Sequence, residues 1–172
     1  MTMITDPMNT RRSNGRVVQF VASTGLAADL QAVLVDLIEL QIQAKQAHWT
    51  VIGPGFRALH LHLDEIVGTA RDHTDSVAER MRALGASPDG RSDTVCRQSR
   101  LAAFPAGSAP VPQVTEVIAD RVATAVATAR KVRDRVDAED PATTDLLHAL
   151  IQELEKHLWM LRASLPVQGP ES

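Results

Sequence analysis

Five side chains in the first half of the chain carry the donors a metal ion takes: His48, His60, Asp64, Asp75 and Glu79. His48 and Trp49 stand just before a Gly53-Pro54-Gly55 turn, and His60 lies just beyond it, at the start of what reads as a second helix. At about 100° per residue, Asp64, Asp75 and Glu79 fall about 40°, 60° and 100° around that helix from His60, all in one sector. They cannot share one ion on a single chain, because His60 and Glu79 are separated by roughly 28 Å of helix axis. The helix therefore carries two half-sites on one face.

The midpoint of His60 and Glu79 falls between Thr69 and Ala70, and so does the midpoint of Asp64 and Asp75. Two copies of this helix packed antiparallel about a twofold axis at that point would set His60 opposite Glu79 of the mate, and Asp64 opposite Asp75 of the mate. Gly68 and Ala70 are small enough for a close crossing. The short turn returns His48 to the level of His60, giving His48, His60 and Asp64 from one chain with Asp75 and Glu79 from the other. Nitrogen and carboxylate donors suit iron, manganese or zinc, and a site without cysteine argues against structural zinc. Few ligands leave room for an oxidant, which favours redox iron. The plain alternative is that Asp75 and Glu79 pair with Arg71 or Arg82 on their own helix, as solvated surface charges do.

These residues need long helices to hold them, and the sequence supplies four. Apolar residues recur at Leu30, Val33, Leu34, Leu37, Ile38 and Ile42, one face of a helix that Ser23 or Thr24 would cap and the glycine-proline turn would end near Val51. A second helix is expected from Phe56 to Leu84, a third from Gln113 to Asp137 and a fourth from Pro141 to Ser164. Residues 86–112 are rich in proline, glycine, serine and aspartate, with one helical turn around Asp93–Ser99. A connection of this length crosses a whole bundle, as in ferritin-like four-helix folds. The expected organisation is a tail over 1–23, an all-α bundle over 24–165 and a short C-terminal tail over 166–172. "MTMITD" resembles the start of the β-galactosidase fragment of cloning vectors, so residues 1–7 are set aside.

Composition agrees with this class. Hydrophobic residues make up 44% of 172 and aromatics only 3%, with no tyrosine, which suits packed helices better than a β-sandwich. The net charge of −3 gives no global basic field for nucleic acid. A lone cysteine, Cys96, excludes an internal disulfide framework and suits a reducing cytosol. No apolar run approaches the roughly 20 residues a membrane span needs, and no signal-peptide pattern opens the chain.

"KQAHWTVIGPGFRALHLHLDE", followed by Asp75 and the "AER" that contains Glu79, resembles the signature of the Dps family of mini-ferritins. The match covers the first two helices without a gap, and the helix plan extends it over about residues 24–164. The resemblance implies a hollow shell of twelve subunits with ferroxidase sites at its twofold interfaces. It implies oxidation of Fe(II), typically by hydrogen peroxide, storage of ferric mineral, and protection of DNA in the cytoplasm or at the nucleoid. It further implies that Trp49 stands beside the iron and absorbs oxidising equivalents; a packed aromatic at a helix end is the plain alternative. Members often bind DNA without sequence preference through basic tails, which makes Arg11, Arg12 and Arg16 the candidates here. A non-enzymatic, nucleoid-compacting protein of the same fold is the rival reading. Acidic iron-entry pores would draw on residues such as Asp120, Asp134 and Glu139. His62 and His73 point away from the ligand face and are expected at the surface or an interface. His148 and His157 are expected to share a sector of the last helix and pack, as is Trp159. "ELEKH" lacks the Glu-x-x-His spacing of larger ferritins, which argues against a di-iron centre inside the bundle.

Overall fold

Four long helices and a short one account for most of residues 20–165, the part of the chain that this computed structural model describes. They are α1 (Thr24–Thr50), α2 (Phe56–Ala83), α3 (Ser92–Gln98), α4 (Val111–Glu139) and α5 (Pro141–Ala163). Two short strands, β1 (Val51–Ile52) and β2 (Ala109–Pro110), pair in parallel, with Val51 opposite Ala109 and Ile52 opposite Pro110. The tail arginines Arg11, Arg12 and Arg16 and residues 166–172 lie outside the described residues.

Local signals set the helix limits. Ser23 caps α1, its hydroxyl oxygen accepting from Leu26 N at 3.1 Å. Gly53 (φ 96°) and Gly55 (φ 81°) turn the chain between α1 and α2 through left-handed backbone that residues with a Cβ rarely adopt. α4 begins two residues before the span read from the sequence, because Pro112 is tolerated in a first helical turn, and ends two residues after it.

The termini contacts fix the helix directions. Ser23 donates to Glu139 at the end of α4, from its backbone N at 2.7 Å and from Oγ at 2.6 Å, and Ala22 N donates to Leu84 O just after α2. The start of α1 and the ends of α2 and α4 thus share one end of the bundle. The β1–β2 pair joins the end of α1 to the start of α4 at the other. α2 and α4 therefore run in the same direction, and the connection between them must travel the full length of the bundle, as expected.

That connection is bound to α1 by polar side chains at three levels. Gln31 and Asp89 exchange hydrogen bonds of 2.7 and 2.9 Å. Asp36, 1% exposed, accepts from Ser99 Oγ, from Arg100 N at 2.8 Å and from Thr128 Oγ1 of α4 at 2.7 Å. Gln43 donates to Ala102 O at 3.0 Å and accepts from Arg121 Nε at 3.2 Å. Between the four long helices lies one apolar core, in which Leu34, Leu37, Leu63, Ile66, Ile118 and Leu150 are fully buried. Each such side chain contributes about 1.5–3 kcal/mol relative to leaving it in water.

Two expectations about α5 fail. Trp159 is 67% exposed rather than packed, because it stands about 200° around the helix from the buried His157 and Leu161. His148 is exposed while His157 is buried: nine residues are two and a half helical turns, so the two lie on opposite sides.

Candidate metal centre

His48 closes the last turn of α1 and His60 opens the second turn of α2, and the glycine turn between them brings the two rings together. Each histidine holds the other's backbone. His48 Nδ1 lies 2.9 Å from His60 O, and His60 Nδ1 lies 2.9 Å from His48 O. A carbonyl only accepts, so each Nδ1 is the donor, and in the neutral ring Nε2 is the nitrogen that carries the lone pair. This arrangement typically orients an imidazole that ligates metal. The rings stack at 3.6 Å with 22° between their planes, and Phe56 flanks His60 at 5.0 Å.

Asp64, one turn further along α2, completes this group. Its Oδ1 is 3.3 Å from His48 Nδ1 and 2.5 Å from Lys45 Nζ. The bond from Lys45 holds the Asp64 carboxyl below the usual carboxylate range, outweighing a smaller opposite effect of desolvation. Lys45 is a member of the site that the sequence reading missed. It belongs to a different helix, and 19 residues of separation hide an ion pair that only the α1–α2 packing creates.

Asp75 and Glu79 lie farther along the same unbroken helix, both exposed. Eleven residues separate Asp64 from Asp75, roughly 16 Å along the axis, so the structure does not bring the two groups together within one chain. Among the described residues neither carboxylate has an ion-pair partner, and Arg82 bonds instead to Ala86 O and Ser87 Oγ. The solvated pairing with Arg71 or Arg82 is not seen. Trp49, beside His48, is 69% exposed, so it is not an aromatic packed within its own chain. Asp120 and Asp134 pair with the adjacent Arg121 and Arg133, and Glu139 holds Ser23, so each of these acids has a local partner.

A second group was not foreseen. His62 and His73, on the far side of α2, face α5 of the same chain: His62 Nε2 is 3.0 Å from His157 Nδ1, and His73 Nε2 is 3.0 Å from Glu153 Oε2. Glu65 stands with His62 and His157, donor atoms of all three lying within 4.8 Å of one another. The His62-x-x-Glu65 spacing is visible in the sequence, but nothing in it sets the register of α5 against α2.

A family model for a ferritin-like domain matches residues 27–166. The fine tangled pili major subunit of Haemophilus ducreyi is 36% identical over 81% of this chain and 74% of its own length. The DNA protection during starvation protein of Brevibacillus brevis is 33% identical over 81% of this chain and 94% of its own. Among solved structures, Dps from Microbacterium arborescens in its high iron form superposes with a TM-score of 0.77 at 31% identity, covering 84% of this chain and 97% of that one.

Proposed function

The chain belongs to the Dps family of ferritin-like proteins, and from that premise we propose that it oxidises Fe(II) at sites shared between two copies and keeps the ferric product inside a hollow dodecamer. The observation that carries the reading is the reciprocal His48–His60 clasp. It commits both Nδ1 atoms to backbone carbonyls and leaves Nε2 as the ligating nitrogen of each ring, with Asp64 beside His48, on a helix that farther along bears two carboxylates without an ion-pair partner among the described residues. Two imidazoles and three carboxylates suit ferrous iron and tolerate ferric iron. A twofold axis between Thr69 and Ala70 joins the halves, with Asp75 and Glu79 supplied by the mate.

Iron is the substrate, and the chain's residues bind and orient it. Asp64 exchanges its bond with Lys45 for the cation, and the two histidines keep their Nδ1 protons on backbone carbonyls throughout. Two ferrous ions give up one electron each, and hydrogen peroxide with two protons takes both to become two water molecules. In this reading Trp49, exposed and next in sequence to His48, takes up an oxidising equivalent that escapes this pairing. Removing ferrous iron and peroxide together removes the reactants that damage DNA, in keeping with the name its Brevibacillus relative carries.

The test loads the protein with Fe(II) without oxygen and then adds a pulse of peroxide, recording ferric absorbance and particle mass. Oxidation of two ferrous ions per peroxide, in a particle of twelve chains, is expected. A wild-type rate no faster than that of a His60→Ala/Asp64→Ala variant would overturn the proposal.

A further inference from the structure

The α2–α5 seam carries a group of donors that the shared iron site does not use. We propose that His62, Glu65 and His157 form a second metal site, contained in one chain, that takes a single divalent first-row transition ion such as Zn(II).

The geometry of the two rings supports this. His62 Nε2 and His157 Nδ1 face each other at 3.0 Å. Two imidazole nitrogens bound to one tetrahedral zinc at 2.0–2.1 Å stand about 3.3 Å apart, so the rings need to separate by only a few tenths of an ångström. Thr69 Oγ1 lies 3.0 Å from His157 Nε2. A proton on that nitrogen, shared with the hydroxyl, leaves the Nδ1 lone pair directed at His62, the kind of outer contact that orients a ligating histidine. His157 is 7% exposed and held by the packing of α5, whereas Glu65 is exposed and free to swing its carboxylate onto the ion.

One of the three donors also faces open space. His62 lines an open cavity of about 390 Å³ between the start of α2 and the start of α4, with Ala58, Leu59 and Thr115 among its walls. Two histidines and one glutamate leave a coordination position for water, the pattern of zinc sites with three protein ligands. A plain hydrogen-bonded histidine pair would account for the 3.0 Å contact; Glu65 adds a third donor atom within 4.8 Å of both rings' nitrogens.

The experiment uses the full chain with His48→Ala, His60→Ala, Asp64→Ala, Asp75→Ala and Glu79→Ala, which removes all five intersubunit donors. Zn(II) binding is then counted by titration calorimetry, and Co(II) is used as a visible-absorbance probe. One Zn(II) per chain and a Co(II) spectrum of nitrogen and oxygen coordination are expected. Adding His62→Ala, a change at a half-buried position, should abolish both. Glu65→Gln should weaken binding by at least about tenfold. No Zn(II) in the parent, or the same stoichiometry after His62→Ala, would overturn the proposal. Neither result depends on iron oxidation, so failure of the shared site and failure of this one are distinguishable.

Discussion

The proton on each Nδ1 of His48 and His60 is committed to a backbone carbonyl, so Nε2 is the nitrogen each ring would offer in the proposed site. What stands between Asp64 and a cation is Lys45. Its ammonium lowers the proton affinity of the carboxylate and, in the proposed site, would compete with the metal for the same oxygen. Replacing it by the uncharged Lys45→Gln should tighten anaerobic Fe(II) binding roughly two- to fivefold, a modest effect because both side chains are more than a third exposed and water screens the pair. Weaker binding would mean that Lys45 orients Asp64 rather than competing for it. The positions of His60, Asp64, Asp75 and Glu79 around α2 were legible because helical spacing alone gives their angles. Lys45 was not, since pairs between helices depend on packing. Nine residues between His148 and His157 show how that periodicity decides burial once applied to the half turn.

At the level of elements, α1 does two jobs. One face fills the core, while Gln31, Asp36 and Gln43 tie down the crossing connection. Asp36 is the most demanding of the three, with two hydroxyls, one backbone N–H and, at 3.4 Å, the Arg100 guanidinium donating to a carboxylate buried to 1% exposure. Asp36→Ala would strand the hydroxyls and the N–H away from water. It should destabilise the fold by about 3 kcal/mol, read as a lowered thermal midpoint with helical content kept below it. An unchanged midpoint would show that water takes over the acceptor role. The helices themselves were legible from apolar period, caps and the Gly53-Pro54-Gly55 turn. The β1–β2 pair was not, because two residues are too few to show alternation and their partners lie 58 positions apart.

For the whole molecule, the unbroken α2 makes a prediction about mixtures. One variant lacks His48, His60 and Asp64, all replaced by alanine; another carries Asp75→Ala and Glu79→Ala. Each alone should show no ferroxidase activity. Dissociated and reassembled together, random pairing makes about half of the dimers mixed, and each mixed dimer has one complete site of two. About a quarter of wild-type activity should return. Verified co-assembly without recovery would rule out donors shared in this way. No helix among the described residues is long and apolar enough to cross a membrane. Large apolar side chains instead cluster around the turn and early α2, where Trp49, Ile52, Phe56 and Leu61 are exposed on the single chain. The anchoring of the crossing connection has a different consequence. Residues 105–108 are all exposed, while the connection before them is bonded to α1 and the stretch after them is paired with β1. A cut there would sever the chain without releasing either fragment, so the bundle can be divided into an α1–α3 piece and an α4–α5 piece that complement each other as separate polypeptides.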